Sequence, residues 1–243
     1  MTPQQQQFLR AGEQYVAQTR QNKDVIGIIF TGSFIHGQLD ANSDLDVFVI
    51  LAPACNYRER GNTWINGVEV EYFMNPPQQI RGYMQQEKSP HTAHMLAHGR
   101  LVYCTTEVVV QLMQEAKTRL ATPPPAMKQF EIELARYHLD DLFKDLEDAL
   151  ACDDQLAAGL LKTTLINTGI DLFCKRHRLY RDKHKRLYHQ LAGVDPLFAQ
   201  LLLQLIAHEQ WHLEDILPLK KYITDLLGGE RSREWKLRSA LDL

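Results

Sequence analysis

The sequence predicts an α+β protein in which a mixed β-sheet domain precedes an all-α helical bundle domain. Strand-like apolar runs are confined to the first half of the chain, and a Thr-Pro-Pro-Pro tract interrupts it at residues 122–125. After this tract, apolar residues recur at helical spacing. We therefore place the sheet domain at residues 1–121 and the helical bundle at residues 126–243.

The first half alternates helical and extended patterns. An amphipathic helical period covers residues 3–21, and apolar runs at 25–30 and 45–51 predict two strands. Residues 68–74 alternate apolar and acidic side chains, as a half-buried strand does. The other elements predicted here are a polar loop at 53–62, helices at 76–86, 92–98 and 106–120, and a strand at 101–104.

The second half contains helical patterns alone. The predicted helices cover residues 127–151, 155–176, 183–192, 195–212 and 215–227. Gly228 and Gly229 end the last of them, because glycine readily adopts the backbone conformation that follows a helix.

Composition places the chain among ordinary globular proteins. It has 243 residues, of which 44% are hydrophobic and 23% charged, and its net charge of −3 gives no reason to expect nucleic acid as a bulk partner. No run reaches the roughly 18 apolar residues that span a membrane, and the polar start does not resemble a signal peptide. Four widely spaced cysteines predict reduced, mostly buried thiols in a cytoplasmic protein. No feature of the sequence indicates an oligomeric state.

The segment between the first two strands contains candidate phosphate-binding and cation-binding residues. Gly32 permits a backbone path closed to other residues, and Ser33 adds a hydroxyl, so this turn can hold phosphate oxygens. Asp44 and Asp46 are two residues apart at the second strand, which places them on one face. Paired carboxylates on a rigid strand favour divalent cations that take oxygen ligands.

Gly-Ser, ten intervening residues and Asp-x-Asp after an apolar strand resemble the nucleotidyltransferase superfamily. Gly37 and residues 43–46 extend the match to the pattern GS-x-x-x-G…SD-h-D-h, in which h is apolar. The sheet domain followed by helices also resembles the aminoglycoside and lincosamide adenylyltransferases of that superfamily. His36 departs from the small or basic residue that many relatives have there, which leaves the phosphate contacts open.

The resemblance implies transfer of a nucleoside monophosphate, AMP from ATP or its equivalent from another nucleoside triphosphate, to a small-molecule hydroxyl. Asp44 and Asp46 would bind Mg²⁺. Glu71 is the candidate third carboxylate, as a metal ligand or as the general base, with Glu69 as the alternative. Both glutamates could instead coat a solvated sheet face.

Phosphate contacts are expected from two segments. The resemblance assigns Gly32, Ser33 and Ser43 to the nucleotide. The basic stretch 175–186 is either an anion site or a solvated loop, and by the same resemblance its first candidates are Lys185 and Lys183, followed by Arg186. Nine acids between residues 131 and 154 would suit a polycationic acceptor such as an aminoglycoside, or form a solvated helix face.

Other functions remain open at this point. A minimal nucleotidyltransferase would transfer AMP to protein or RNA, and a non-catalytic relative would only bind nucleotide. His208 to His212 read HEQWH, the pattern of a zinc hydrolase helix. His91, His94 and His98 could share a helix face, which we interpret as structural or surface. Arg178 and His184 weakly match the catalytic pattern of HEPN ribonucleases.

Overall fold

The computed structural model describes residues 1–37, 39–86, 90–208, 212–234 and 236. The chain forms two compact units, Met1–Thr122 and Pro123–Leu243. The first unit contains a mixed sheet with helices, and the described part of the second is helical, which confirms the predicted α+β class. None of the described helices has the length and apolar character needed to cross a membrane.

The first unit has five strands and five helices in its described residues. In chain order they are α1 (Pro3–Thr19), β1 (Val25–Thr31), α2 (Gly32–Ile35), β2 (Leu45–Leu51), β3 (Glu59–Ile65), β4 (Val68–Asn75), α3 (Pro77–Gln86), α4 (His91–His98), β5 (Arg100–Cys104) and α5 (Glu107–Ala121). The sheet order is β3-β4-β2-β1-β5. β2 and β4 are parallel, and the other neighbours are antiparallel.

The sheet has a hydrophobic core on each face. Leu45, Val47 and Val49 of β2 are buried on the face that also holds the apolar side of α1. Phe48 and Ile50 are buried on the opposite face, among residues from α3, α4 and α5. Because side chains alternate along a strand, Asp46 lies on the same face as Phe48 and Ile50.

The strand β3 corrects the sequence analysis, which had assigned residues 53–62 to a polar loop. Residues 59–65 are mostly exposed, so their pattern lacks the apolar run of a central strand. The signal that identifies β3 is Asn66-Gly67, whose φ angles of 53° and 76° match the tight turn favoured in β-hairpins. The hairpin places β3 beside β4, at the edge of the sheet.

The described helices of the second unit are α6 (Gln129–Ala151), α7 (Gln155–Arg176), α8 (His184–Val194), α9 (Pro196–Ala207) and α10 (Leu213–Leu226). Phe173 of α7 stacks on Phe198 of α9, with ring centroids 4.4 Å apart and planes 6° apart. Gly169 allows close packing, since a Cβ there would lie 2.7 Å from Cδ1 of Ile223 on α10. α9 ends at Ala207, whereas the sequence predicts a helix over residues 195–212.

The cysteines are free, as the sequence predicts, but only two of the four are buried. Cys55 and Cys174 lie in the interior, whereas Cys104 and Cys152 are exposed. Burial raises the pKa of the Cys174 thiol to about 11, which keeps it protonated near neutral pH.

Asp195 caps α9 and gives the second unit a predictable response to acid. Its carboxylate accepts hydrogen bonds from the Tyr222 hydroxyl at 2.6 Å and from the backbone N–H groups of Leu197 and Phe198. The Tyr222 hydrogen bond is the main cause that lowers the pKa of Asp195. A lowered pKa stabilises the fold above the unfolded-state value of about 3.9, and this contribution is lost as pH falls through the folded-state pKa.

We expect Asp195→Ala to lower the free energy of unfolding of the second unit by about 1–2 kcal/mol at pH 7. The loss should shrink as the pH falls from about 4 towards the lowered pKa of folded Asp195, because the carboxylate of the unfolded chain takes up a proton first and this offsets the stabilisation. Denaturant unfolding followed by circular dichroism at several pH values measures this. Tyr222→Phe serves as the control that keeps the ring and removes one donor. An Asp195→Ala loss that is equal at pH 3 and pH 7 would contradict the assignment.

Candidate active site

Three carboxylates meet where β2 begins. One oxygen each from Asp44, Asp46 and Glu71 lies within 4.8 Å of those of the other two, and all three residues are half-buried. Asp46 and Glu71 are direct register partners in the parallel pairing of β2 with β4. Within the described residues, no other set of three potential ligands from histidine, cysteine or acidic side chains comes so close together.

The backbone beside Asp46 requires a glycine. Gly32 starts α2 with a φ of +72°, in the left-handed region that side chains disfavour. A Cβ at this position would lie 1.8 Å from Oδ2 of Asp46. The turn therefore approaches the carboxylate closely, and the half-buried Ser33 follows directly.

The candidate phosphate residue Ser43 lies in the loop that leads into β2. Its hydroxyl donates to Oδ1 of Asp40 at 3.2 Å and accepts from the backbone N–H of Asp40 at 2.8 Å. The backbone N–H of Asn42 also donates to the Asp40 carboxylate. Ser43 thus holds the loop directly before Asp44 and Asp46, and nucleotide contact by it remains a prediction.

Glu71 and Glu69 lie on one face of β4 but have different neighbours. Oε1 of Glu71 pairs with Nη2 of Arg60 at 2.8 Å, and Glu71 belongs to the carboxylate group. Glu69 accepts a hydrogen bond from the Asn62 side-chain amide. The geometry therefore favours Glu71 over Glu69 as the third carboxylate.

Arg60 and Asn62 lie on β3, where the sequence predicts a polar loop, so neither was among the predicted site residues. Both residues line an open cleft of about 420 Å³, which is also lined by Asp44, Glu69 and Glu71. The Asn66-Gly67 turn after β3 was the signal that could have revealed them.

The donor set fits a hard divalent cation. All three side chains offer carboxylate oxygens, partial exposure leaves an entry path, and their mutual repulsion is relieved by positive charge. Mg²⁺ is bound in proteins through a few carboxylates together with substrate phosphates. The site thus fits Mg²⁺ better than zinc, which prefers nitrogen and sulfur ligands.

The basic stretch in the second unit is largely engaged in local contacts. Arg176 and Arg178 donate to backbone carbonyls, Arg181 pairs with Asp171, and Arg186 pairs with Asp182. Arg186 is therefore already engaged in an ion pair with Asp182. Lys183 precedes α8 as its N-terminal flanking residue, and Lys185 lies in the first turn. Their nucleotide contacts remain predictions.

The acidic face of α6 is also partly neutralised. Asp140 pairs with Lys144 and Arg231, and Glu147 pairs with Lys220. These contacts favour the interpretation of a solvated helix face over a site for a polycation.

The described residues do not form the zinc hydrolase helix that the HEQWH pattern suggests. His208 follows the end of α9 and His212 precedes α10, both with extended backbone torsions, so the zinc hydrolase helix is wrong. Residues 209–211 lie outside the described residues. His94 and His98 stack on α4 with ring centroids 5.3 Å apart. Arg178, of the HEPN pattern, donates to the Pro124 carbonyl.

Comparison with known proteins identifies the fold. No protein-family model and no curated protein sequence matches the chain. A solved structure of a nucleotidyltransferase-like protein from Exiguobacterium sibiricum is similar, with a TM-score of 0.52 and 13% sequence identity over 90% of this chain and 74% of that one. At 13% identity this similarity concerns the fold, and it does not favour the antibiotic adenylyltransferases. The chain therefore has a nucleotidyltransferase-like fold.

Proposed function

We propose that the chain is a Mg²⁺-dependent nucleotidyltransferase. It transfers a nucleoside monophosphate, with AMP from ATP as the first hypothesis, to a hydroxyl of a small molecule and releases pyrophosphate. The observation that carries the proposal is the group of three carboxylates at the start of β2 and on the adjacent β4, beside the Gly32-Ser33 turn. The similar fold of a nucleotidyltransferase-like protein supports it.

Each part of the site has a role in this reaction. Asp44 and Asp46 hold the cation, which neutralises the triphosphate and aligns it when bound. Gly32 and Ser33 receive phosphate oxygens through the turn, and Lys183 and Lys185 are candidates for further phosphate contacts. The bond from the acceptor oxygen to the α-phosphorus forms as the bond to pyrophosphate breaks.

Glu71 completes the proton balance. Its carboxylate accepts the proton of the acceptor hydroxyl and passes it to solvent. If Glu71 instead joins the cation as a third ligand, the hydroxyl proton leaves directly to solvent. A small-molecule hydroxyl, including one on an aminoglycoside-like compound, is the acceptor that we propose to screen first.

The test is calorimetric titration of the full chain with ATP, GTP, CTP and UTP in the presence and absence of Mg²⁺. We expect Mg²⁺-dependent binding of at least one nucleotide, weakened by about 100-fold in Asp44→Asn, because a charged metal ligand is lost. Glu13→Gln is the matched control, since it neutralises a carboxylate on α1, which packs on the opposite face of the sheet.

Two results would contradict the proposed function. One is wild-type protein that binds neither the cation nor any of the four nucleotides. The other is equal binding by wild type and Asp44→Asn.

If a nucleotide binds in the expected manner, it would be used to screen hydroxyl acceptors by pyrophosphate release.

A further inference from the structure

Arg60 occupies an unusual position for an exposed arginine. It lies on the edge strand β3, directly opposite Phe73 of β4, and its guanidinium lies 4.7 Å from the centroid of the Phe73 ring. From there it reaches Oε1 of Glu71 at 2.8 Å. The side chain of Arg60 is 70% exposed and that of Glu71 28% exposed, so the pair is at the mouth of the cleft.

This ion pair involves one of the three candidate metal ligands. The guanidinium supplies positive charge to a carboxylate whose oxygen lies within 4.8 Å of oxygens from Asp44 and Asp46. A cation that draws on all three carboxylates must compete with Arg60 for Glu71. Because the arginine is well exposed, the pair is weak and its separation costs little.

A released Arg60 would remain in the same cleft. The guanidinium presents a planar fork of donors that matches phosphate oxygens in a bidentate manner. A triphosphate brought to Asp44 and Asp46 with its cation would therefore offer Arg60 new acceptors close to the ones that it leaves.

We infer that Arg60 exchanges partners during substrate binding. It pairs with Glu71 in the metal-free protein, releases Glu71 when the cation and nucleotide bind, and then binds phosphate oxygens of the nucleotide. This inference rests on the proposed function and adds a substrate-binding residue that the sequence motif does not contain. Arg60 thereby disfavours binding of the cation alone and favours binding of the cation together with a triphosphate.

The inference predicts opposite effects of one substitution on two equilibria. In Arg60→Gln, Mn²⁺ without nucleotide should bind about five-fold tighter than in wild type, because the competitor for Glu71 is gone. The nucleotide with Mg²⁺ should bind about ten-fold more weakly, because a charged phosphate contact is lost. Both affinities are measured by calorimetry on the full chain. A general loss of structure would weaken both.

Arg58→Gln is the matched control. Arg58 is exposed, lies two residues from Arg60 and hydrogen-bonds to the Tyr83 hydroxyl instead of Glu71. The substitution therefore removes the same charge without breaking a contact with Glu71. We expect both affinities to change less than two-fold in this variant. Arg60→Lys should keep part of the nucleotide affinity, since a point charge replaces the fork.

The outcomes separate the inference from the proposed function. Wild-type protein that binds neither Mn²⁺ nor nucleotide overturns both. Wild-type binding accompanied by unchanged or weaker Mn²⁺ affinity in Arg60→Gln overturns the partner exchange alone. Equal changes in Arg58→Gln and Arg60→Gln also overturn it, since they would reflect net charge.

Discussion

Gly32→Ala should lower the affinity for Mn²⁺ by about 100-fold, the upper range for groups that position metal ligands. The new Cβ would lie 1.8 Å from Oδ2 of Asp46, so the carboxylate must move away from Asp44 and Glu71. The φ of +72° adds about 1–2 kcal/mol of backbone strain for any residue with a Cβ. Calorimetry with Mn²⁺ and denaturant unfolding measure the two effects separately.

The variant Gly37→Ala distinguishes the effect of backbone strain from the effect of a steric clash with Asp46. Gly37 also has a positive φ, of +67°, but the nearest atom to its Cβ would be the Gln5 side-chain nitrogen at 3.6 Å. We therefore expect a similar loss of stability in both variants and a loss of metal affinity in Gly32→Ala alone. If both variants bind Mn²⁺ as wild type does, the close approach to Asp46 has no functional role.

Phe173→Ala should lower the free energy of unfolding of the second unit by about 3–5 kcal/mol. The side chain is fully buried and packs between Phe198, at 4.4 Å between centroids, and His177, at 4.3 Å. Removing the ring leaves a cavity among helices α7, α9 and α10. This is a large part of the roughly 5–15 kcal/mol that stabilises a typical domain.

Phe130→Ala makes the same chemical change at a surface position. Phe130 of α6 is 47% exposed, so we expect its loss to change stability by no more than about 0.5 kcal/mol. Guanidinium unfolding followed by circular dichroism compares the two variants. A Phe173→Ala loss below about 1 kcal/mol would contradict the described core.

The central strands could be predicted from the sequence because burial on both faces leaves continuous apolar runs. The runs in β1 and β2 and the alternation in β4 identify three of the five strands of the described sheet, and the strand predicted at 101–104 corresponds to a fourth, β5. β3 lacks such a run because it lies at the edge, and only Asn66-Gly67 marks it. The helix boundary at Ala207 was missed because residues 208–212 contain no glycine or proline that would mark the end of a helix.

The part of the candidate site that lies within one short segment of the chain could be predicted from the sequence. Gly32, Ser33, Asp44 and Asp46 follow one another within a short segment, so spacing alone brings them together. The pairing of Asp46 with Glu71 depends on the register between β2 and β4, which are separated along the chain by β3. Spacing carries no information on that register, and Arg60 enters the site only through the hairpin.

The placement of the carboxylates on two neighbouring strands links cation binding to folding. A slip of β4 by one residue would turn Glu71 to the other face, so three oxygens converge only when the native register is formed. A cation held by all three would act as a clamp across residues that are distant in sequence. At 100 times its dissociation constant it would add about 2.7 kcal/mol to the stability of the first unit. The cation that we propose for the reaction would thus also stabilise the strand pairing on which its own site depends.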